Sequence, residues 1–170
     1  STGEQVSISL LAMTFKSLGA PAISLTGMQA GVFCSGRHGK ALIEDVNPER
    51  VFSELEKGNI VIVAGFQGVL PNGDVATLGR GGSDATAVAL AGAMHADVCE
   101  IFTDVDGVYS ADPRYCPHAV KMQEITNIEL LELARLGAGI MQPRSVELGM
   151  HYHIPIHVRS TLTDGEGTII

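Results

Sequence analysis

Residues 59–64 read Asn-Ile-Val-Ile-Val-Ala, an unbroken run of β-branched side chains between Asn59 and Ala64. A strand with one solvated face alternates polar and apolar side chains, whereas a strand covered on both faces in a parallel sheet stays apolar throughout. The run therefore predicts a buried strand of a parallel sheet. Around it, extended patterns occur at residues 22–25, 41–46, 98–103 and 154–159, and helical patterns at 4–18, 48–58, 83–96, 127–136 and 143–152. This alternation predicts an α/β fold, a three-layer α/β/α sandwich with a mostly parallel sheet.

Composition supports one folded domain. The chain has 170 residues, of which 45% are hydrophobic and 18% charged, so it can form a core and is not a disordered segment. Its 20 glycines cluster at expected turns, including a hairpin at residues 65–78 that turns at Pro71-Asn72-Gly73. Such loops allow a ligand to approach the backbone closely.

Charge and cysteine usage exclude several classes of partner. The net charge of −8 and the lack of a basic patch exclude a nucleic-acid or anionic-membrane surface. The longest apolar run, residues 60–66, is much shorter than the ~20 residues that span a bilayer. Three cysteines without a Cys-x-x-Cys pair fit a reducing compartment better than a disulfide or zinc framework. We expect a soluble, cytoplasmic protein.

A glycine-rich segment lies just before the helix predicted at residues 83–96: Gly79-Arg80-Gly81-Gly82-Ser83-Asp84-Ala85-Thr86. Glycines let backbone N–H groups approach a ligand, and the positive end of the helix attracts an anion to the same place. Arg80 can donate two hydrogen bonds to one carboxylate or phosphate. The pattern matches neither a Walker A loop nor a dinucleotide-binding loop. It predicts either an anion site or an ordinary glycine turn in which Ser83 caps the helix.

A second loop follows the strand predicted at residues 98–103 and reads Thr103-Asp104-Val105-Asp106-Gly107-Val108-Tyr109-Ser110-Ala111-Asp112-Pro113-Arg114. Ligands of open α/β sheets bind beyond the carboxyl ends of strands, which is where this loop begins. Its carboxylates, tyrosine and arginine suit ribose hydroxyls, an aromatic base and phosphate, while its aspartate spacing does not match an EF-hand. A solvated acidic turn is the alternative.

Three further features have ordinary structural interpretations. Glu4 stands in the first turn of the first predicted helix, where a carboxylate stabilises the helix dipole, so capping and ligand binding are both open. His151, His153 and His157 would share one face of a strand, and we expect an exposed polar face without a metal. The apolar residues of the first helix are expected in the core: Val6, Leu10, Met13, Phe15 and Leu18.

Seven segments of the chain, the two loops among them, resemble the aspartate kinases of the amino acid kinase family. In chain order they are STGE (1–4), SLTG (24–27), VAGFQG (63–68), GRGGSD (79–84), TDVDGVY (103–109), ADPR (111–114) and PRSVE (143–147). The resemblance implies the amino acid kinase fold, with a substrate-binding part at residues 1–80 and a nucleotide-binding part at residues 81–170.

The resemblance also implies a reaction, in which the γ-phosphoryl group of ATP is transferred to the β-carboxylate of L-aspartate with the help of Mg²⁺. Asp84 would organise the transfer. The residues expected to bind the amino acid substrate are Glu4, Arg80, Gly81, Gly82 and Ser83. The residues expected to bind the nucleotide are Ser83, Thr103, Asp104, Tyr109 and Arg114. No residue is assigned as a direct ligand of a metal, and a homodimer is implied.

Two departures from the family pattern keep a second function open. The family's usual Lys-Phe/Tyr-Gly-Gly segment does not occur in these residues, and Gly139 stands where the family usually has a lysine. The regulatory ACT domains that usually follow the catalytic domain are not in the sequence either. We therefore expect a partial catalytic domain that associates through exposed apolar surface. The alternatives are a truncated or degenerate relative that binds ligand without turnover, and a kinase of the same fold with another acceptor.

Overall fold

The computed structural model describes residues 1–135 and 141–170 of the chain. These residues form two compact units, Ser1–Met94 and His95–Ile170. Gly139, which the sequence marks as unusual, lies outside the described residues. Each unit has its own sheet pairing, so the two are described separately.

The first unit combines helices with two sheets. Its elements in chain order are α1 (Thr2–Ser17), β1 (Ala22–Leu25), β2 (Val32–Ser35), β3 (Leu42–Val46), α2 (Glu49–Glu56), β4 (Ile60–Val63), β5 (Gln67–Val69), β6 (Val75–Thr77) and α3 (Gly82–Ala93). Strands β1 and β4 pair in parallel, with Leu25 opposite Val63. The other strands form a sheet in the order β3-β2-β5-β6, which is antiparallel at β2/β3 and β5/β6 and parallel at β2/β5.

The apolar run at residues 59–64 forms β4, and its predicted parallel pairing is confirmed. Its burial is less complete than expected, because Ile60 is 40% exposed. Among the described residues β4 has a hydrogen-bonded neighbour on one edge only, which is β1. The apolar pattern predicted the strand correctly, whereas full burial also requires cover over both faces of the strand.

The expectation that the apolar residues of α1 lie in the core is wrong for most of them. Val6, Leu10 and Met13 are 54%, 59% and 65% exposed, while Ile8 and Ala12 are buried. At 3.6 residues per turn the exposed three fall on the face opposite Ile8 and Ala12. The helix packs through a single face, and its apolar outer face remains uncovered in this chain.

The bounds of α2, α3 and the hairpin after β4 lie close to their predicted positions. Asn47 Oδ1 accepts a hydrogen bond from the backbone N–H of Glu49 at 3.0 Å, but the N-cap is Pro48 and not Asn47 as predicted, so α2 begins at Glu49, one residue later than expected. Helix α3 ends at Ala93, three residues before the predicted end, and His95 has a φ of 52°. The predicted hairpin at residues 65–78 is confirmed as β5 and β6.

The second unit is built on a parallel pair of strands. Its elements are β7 (Cys99–Thr103), α4 (Asn127–Arg135), α5 (Pro143–Tyr152), β8 (Ile156–Ser160) and β9 (Thr168–Ile169). Strands β7 and β8 are parallel, with Thr103 opposite Ser160, and β9 pairs antiparallel to β8. The predicted α/β class with parallel pairs is therefore confirmed. Among the described residues, no helix is long and apolar enough to cross a bilayer.

Candidate functional site

The glycine-rich segment folds into a tight turn that leads directly into α3. Gly79 and Gly81 have φ values of 81° and 70°, a region that side-chain-bearing residues rarely adopt. The N–H of Gly82 donates to the carbonyl of Gly79 at 3.0 Å, and the N–H of Ala85 donates to the carbonyl of Gly81 at 3.1 Å. The first residues of α3 thus follow a glycine backbone that a ligand can approach.

Two of these glycines are also fixed by packing. A Cβ atom on Gly79 would lie 2.8 Å from the carbonyl oxygen of Gly39, which belongs to the loop between β2 and β3. A Cβ on Gly82 would lie 2.8 Å from Leu78 Cβ and 3.0 Å from Phe66 Cδ2. Gly82 is buried and its N–H is bonded to Gly79, so this residue serves the packing of the turn.

The helix that follows the turn has no side-chain cap. Its N-cap is Gly81, with no side-chain hydrogen bond, and Ser83 is exposed. The interpretation that Ser83 caps an ordinary turn is therefore wrong, and its hydroxyl is exposed. The side chain of Arg80 is exposed as well. Asp84 is half-buried in the first turn of α3, and burial raises the pKa of its carboxyl group.

Glu4 lies in the first turn of α1, half-buried, and a backbone hydrogen bond lowers the pKa of its carboxyl group. This turn is attached to β5 through Gln67, which is 1% exposed. Gln5 Nε2 donates to Gln67 Oε1 at 3.0 Å, and Gln67 Nε2 donates to the carbonyl of Ser1 at 3.2 Å. The turn that carries Glu4 is therefore held at the start of β5.

Phe66 connects the start of β5 to the start of α3. It has a φ of 68°, a strained conformation for a residue with a side chain. Its N–H donates to Thr86 Oγ1 at 3.2 Å, and the Thr86 hydroxyl donates to the carbonyl of Gly82 at 2.7 Å. Through Gln67, Phe66 and Thr86 the first unit joins the turn carrying Glu4 to the turn carrying Arg80. Sequence reasoning missed these three residues, although two of them stand in the shared segment VAGFQG.

An apolar groove of about 440 Å³ lies in the first unit and reaches the start of α3. Gly65, Ser83 and Thr86 line one part of it. The rest is lined mainly by aliphatic side chains of α2, β4 and α3, namely Val51, Leu55, Val61, Val63, Ala87, Leu90 and Met94. This lining offers few partners to a charged ligand, so the glycine turn rather than the groove is the candidate anion site.

In the second unit, Thr103 and Asp104 stand at the carboxyl end of β7, beside the carboxyl end of β8. The N–H and hydroxyl of Thr161 donate to the carbonyl of Thr103 at 2.8 and 3.1 Å. The hydroxyl of Thr103 donates to Asp104 Oδ1 at 3.1 Å, and Asp104 is exposed. This end of two parallel strands is where open α/β sheets bind ligands.

Tyr109 is engaged by a carboxylate of its own loop. Its hydroxyl donates to Asp106 Oδ1 at 3.0 Å, which raises the pKa of Tyr109. Burial opposes ionisation of Asp106, but the Tyr109 hydrogen bond and Lys121 prevail, and the pKa of Asp106 is lowered. Lys121 Nζ lies 3.5 Å from Asp106 Oδ2. Sequence reasoning did not single out this lysine.

Arg114 forms a two-point contact with Asp112, with Nε 3.1 Å from Oδ1 and Nη2 2.7 Å from Oδ2. This contact raises the pKa of Arg114 and lowers that of Asp112. The Arg114 side chain is 81% exposed, so Nη1 remains accessible for a ligand. The four nucleotide candidates of this unit therefore lie on one strand end and the loop that follows it.

The three histidines do not share a strand. His151 lies in α5 with its ring 4.9 Å from that of Tyr152, and His153 follows the helix with a φ of 54°. His157 alone is in β8, where Nε2 is 2.6 Å from the carbonyl of Glu166. The described residues contain no group of three or more histidine, cysteine, aspartate or glutamate side chains that could hold a metal ion.

Comparison with known proteins identifies relatives over the whole chain. The sequence pattern of the Amino acid kinase family matches residues 1–160. The chain is 53% identical to an aspartokinase of Geobacillus stearothermophilus over 170 residues, which cover 100% of this chain and 42% of the relative. It is 55% identical to an aspartokinase of Corynebacterium glutamicum, covering 99% of this chain and 40% of the relative. The chain thus spans about two fifths of the length of these curated relatives.

Solved structures agree with the sequence comparison. E. coli aspartokinase III in complex with aspartate and ADP superposes with a TM-score of 0.88 at 32% identity, covering 98% of this chain and 38% of that one. UMP kinase from Bacillus anthracis, at 20% identity, has a TM-score of 0.68 and covers 97% of this chain and 64% of that one, which shows a shared fold. The chain resembles the aspartokinases throughout its length, and it belongs to the amino acid kinase family.

Proposed function

We propose that the full-length protein is an ATP-dependent aspartate kinase that forms 4-phospho-L-aspartate, the first step of lysine, threonine and methionine synthesis. The observation that carries the proposal is the glycine turn before α3, with exposed Arg80 on one side and half-buried Asp84 on the other. The sequence identity of 53% to an aspartokinase supports it. So does the complex of E. coli aspartokinase III with aspartate and ADP.

The first unit would bind the amino acid. L-aspartate carries one ammonium and two carboxylates, so it needs a negative partner and several hydrogen-bond donors. Glu4 supplies a carboxylate for the ammonium, and Arg80 supplies a planar pair of donors for one carboxylate. Gly81 and Gly82 would let the substrate approach the backbone of the turn, and the hydroxyl of Ser83 would add a donor at the positive end of α3.

Asp84 would organise the reacting groups. Phosphoryl transfer to a carboxylate needs no protein nucleophile, because a carboxylate oxygen of the substrate attacks the γ-phosphorus. The protein has to align the two reactants and balance their negative charge. The carboxyl group of Asp84 has a raised pKa because it is half-buried, so a positive partner in the bound complex would stabilise its charged form.

The second unit would bind the nucleotide through Thr103, Asp104, Tyr109 and Arg114. An exposed carboxylate at Asp104 suits ribose hydroxyls, and the free Nη1 of Arg114 suits a phosphate. Proteins usually hold Mg²⁺ with one or two carboxylates together with substrate phosphates. In the first unit, half-buried Asp84 would supply such a carboxylate. When bound, Mg²⁺ would neutralise part of the phosphate charge.

The proposal is tested by measuring acyl phosphate formation, trapped with hydroxylamine, from ATP and L-aspartate by the full-length protein. We expect Asp84→Asn to lower kcat at least about 100-fold, as loss of one aligned charged group typically does. Asp97→Asn changes an exposed aspartate of the second unit and should leave kcat unchanged. Turnover only with glutamate, acetylglutamate or a nucleoside monophosphate would overturn the aspartate assignment.

Gly139 favours one alternative, a relative that binds ligand without turnover. The aspartate kinases usually have a lysine at this position, and a lysine there would offset charge on the transferring phosphoryl group. Calorimetry that detects nucleotide binding by the full-length protein, together with absent turnover that Gly139→Lys does not restore, would favour the alternative. Turnover by the unmodified protein excludes it.

We also propose that the protein forms a homodimer through the outer face of α1. Val6, Leu10 and Met13 lie on this face, spaced three and four residues apart. The charged residues of α1 are Glu4 and Lys16, near its two ends, so the centre of the helix carries no charge. In a two-fold dimer the same patch of each copy meets, so this apolar face would be buried against an identical apolar face.

A further inference from the structure

Lys121 is held next to the candidate nucleotide loop by backbone pairing. It forms an antiparallel bridge with Tyr109. On either side of this bridge, the N–H of Met122 donates to the carbonyl of Val108 at 2.9 Å, and the N–H of Ser110 donates to the carbonyl of Val120 at 2.9 Å. The position of Lys121 relative to the loop is therefore fixed by main-chain hydrogen bonds as well as by its side chain.

The side chain of Lys121 extends along the end of the sheet. A Cβ atom on Gly107 would lie 3.2 Å from Lys121 Cδ, and Gly107 has a φ of 144° that favours glycine. A Cβ on Gly165 would lie 3.8 Å from Lys121 Nζ. Gly107 follows β7 and Gly165 follows β8, so the ammonium lies between the loops at the carboxyl ends of two parallel strands.

The ammonium of Lys121 has more N–H donors than its contact with Asp106 uses. It can donate three hydrogen bonds, and among the described residues its ion pair is the 3.5 Å contact with Asp106. Tyr109 donates to the same carboxylate at 3.0 Å, so Asp106 is shared between the two side chains. The Lys121 side chain is 30% exposed. A long ion pair at a partly exposed position leaves room for a stronger anionic partner.

Other cations of this unit are held by shorter contacts. Arg159 is paired with Glu100 at 2.8 Å, and Arg114 uses Nε and Nη2 on Asp112, which leaves Nη1 for a ligand. The exposed loops around Lys121 carry carboxylates, including Asp104 and Asp164, which would repel a phosphate chain. A polyphosphate at this end of the sheet therefore requires a cation that can reach it.

We propose that Lys121 binds the polyphosphate chain of the nucleotide, with Asp106 holding its ammonium in position and the Tyr109 hydroxyl hydrogen-bonded to Asp106. The inference rests on the proposed function, because it assigns a residue within the same nucleotide site. A lysine acts on phosphate as a mobile point charge with three donors, which suits a chain of phosphates whose position changes during transfer. Asp106 is a positioning residue, and Lys121 is the residue that contacts the phosphates.

Calorimetry on the full-length protein with ATP, ADP and adenosine tests the inference. Lys121→Met keeps the length of the side chain over Gly107 but removes its charge. We expect it to weaken ATP and ADP binding about 10- to 100-fold, as loss of one charge-assisted hydrogen bond does, and to leave adenosine binding unchanged. Lys121→Arg should retain most of the ATP affinity.

Arg135→Met is the matched control, because Arg135 is an exposed cation of the same unit that pairs with Glu132 along α4. It should not change the affinity for any of the three ligands. Unchanged ATP affinity in Lys121→Met would overturn the inference, and so would an equal loss of ATP and adenosine affinity, which indicates a structural role. If the unmodified protein binds adenosine and ATP equally, Lys121 has no phosphate to contact. If it binds neither, the proposed function fails and the inference fails with it.

Discussion

Gln5 and Gln67 are 62 positions apart in the sequence, yet Gln5 Nε2 donates a hydrogen bond to Gln67 Oε1 at 3.0 Å. Gln67 is buried and its own amide donates to the carbonyl of Ser1. A side-chain amide buried at a strand start costs free energy unless it is hydrogen-bonded. The pair therefore fixes the first turn of α1, with Glu4, against β5.

Replacing Gln67 should weaken both the fold and substrate binding. Gln67→Leu removes the acceptor of the Gln5 side chain and the donor to the Ser1 carbonyl. We expect the free energy of unfolding to fall by about 1–3 kcal/mol. The KM for aspartate should rise, because the turn carrying Glu4 is released. Urea unfolding and steady-state kinetics measure the two effects. Gln123→Leu, at an exposed glutamine, is the control, and an equal change in both variants would contradict this role.

Gly79 should tolerate a side chain less well than Gly73, which has a similar φ but open space around it. Gly73 has a φ of 88° and nothing within 4 Å of an added Cβ, so Gly73→Ala should cost only the left-handed strain, about 1–2 kcal/mol. Gly79→Ala adds a clash with the carbonyl of Gly39 and should cost more. Equal unfolding free energies for the two variants would show that the Gly39 contact is unimportant.

Asp84→Asn should stabilise the protein at neutral pH while it lowers activity. Burial raises the pKa of Asp84 above its ordinary value of 3.8, so the folded state binds this proton more tightly than the unfolded state. Stability from this group therefore falls as pH rises from 3.8 through the folded pKa. Thermal unfolding at pH 7 should show a higher Tm for Asp84→Asn.

The Tm values of the unmodified protein and of Asp84→Asn should converge in acid, because well below pH 3.8 Asp84 is protonated in both the folded and unfolded states. Ser83→Ala, at an exposed neighbour on the same helix, should show no pH-dependent difference in Tm. A Tm advantage of Asp84→Asn that persists unchanged in acid would rule out charge burial as its cause.

Charge on the outer face of α1 should dissociate the dimer. Leu10→Glu places a carboxylate at the centre of the apolar face, and burying an unpaired charge is costly, so we expect dimer affinity to fall at least about 100-fold. Analytical ultracentrifugation measures the change. Leu162→Glu, at an apolar residue of the second unit that is 78% exposed, makes the same substitution outside α1 and should leave dimer affinity unchanged. A monomer at all concentrations of the unmodified protein would contradict the proposed interface.

Local patterns predicted the elements of the fold well. The β-branched run predicted β4, Asn47-Pro48 predicted the start of α2 to within one residue, and Pro71-Asn72-Gly73 predicted a hairpin turn. The same reasoning failed for the outer face of α1, because apolar composition does not specify which face of a helix meets the sheet. That choice depends on long-range packing, which a single sequence does not contain.

The candidate site was only partly predictable for a similar reason. Glycines before α3 were identifiable from backbone chemistry alone. By contrast, Gln67, Thr86 and Lys121 act through partners that are distant in the sequence, and no local pattern marks them. Phe66 has a left-handed backbone that composition does not indicate, since most left-handed positions are occupied by glycine.

The division of the chain at Met94 has an evolutionary consequence. All residues assigned to the amino acid lie in Ser1–Met94, and those assigned to the nucleotide, apart from Ser83, lie in His95–Ile170. With the sites as we propose them, mutations that alter acceptor preference can accumulate in one unit while selection preserves nucleotide recognition in the other. Exchange of the first unit between family members provides a route by which one phosphoryl donor comes to serve new acceptors.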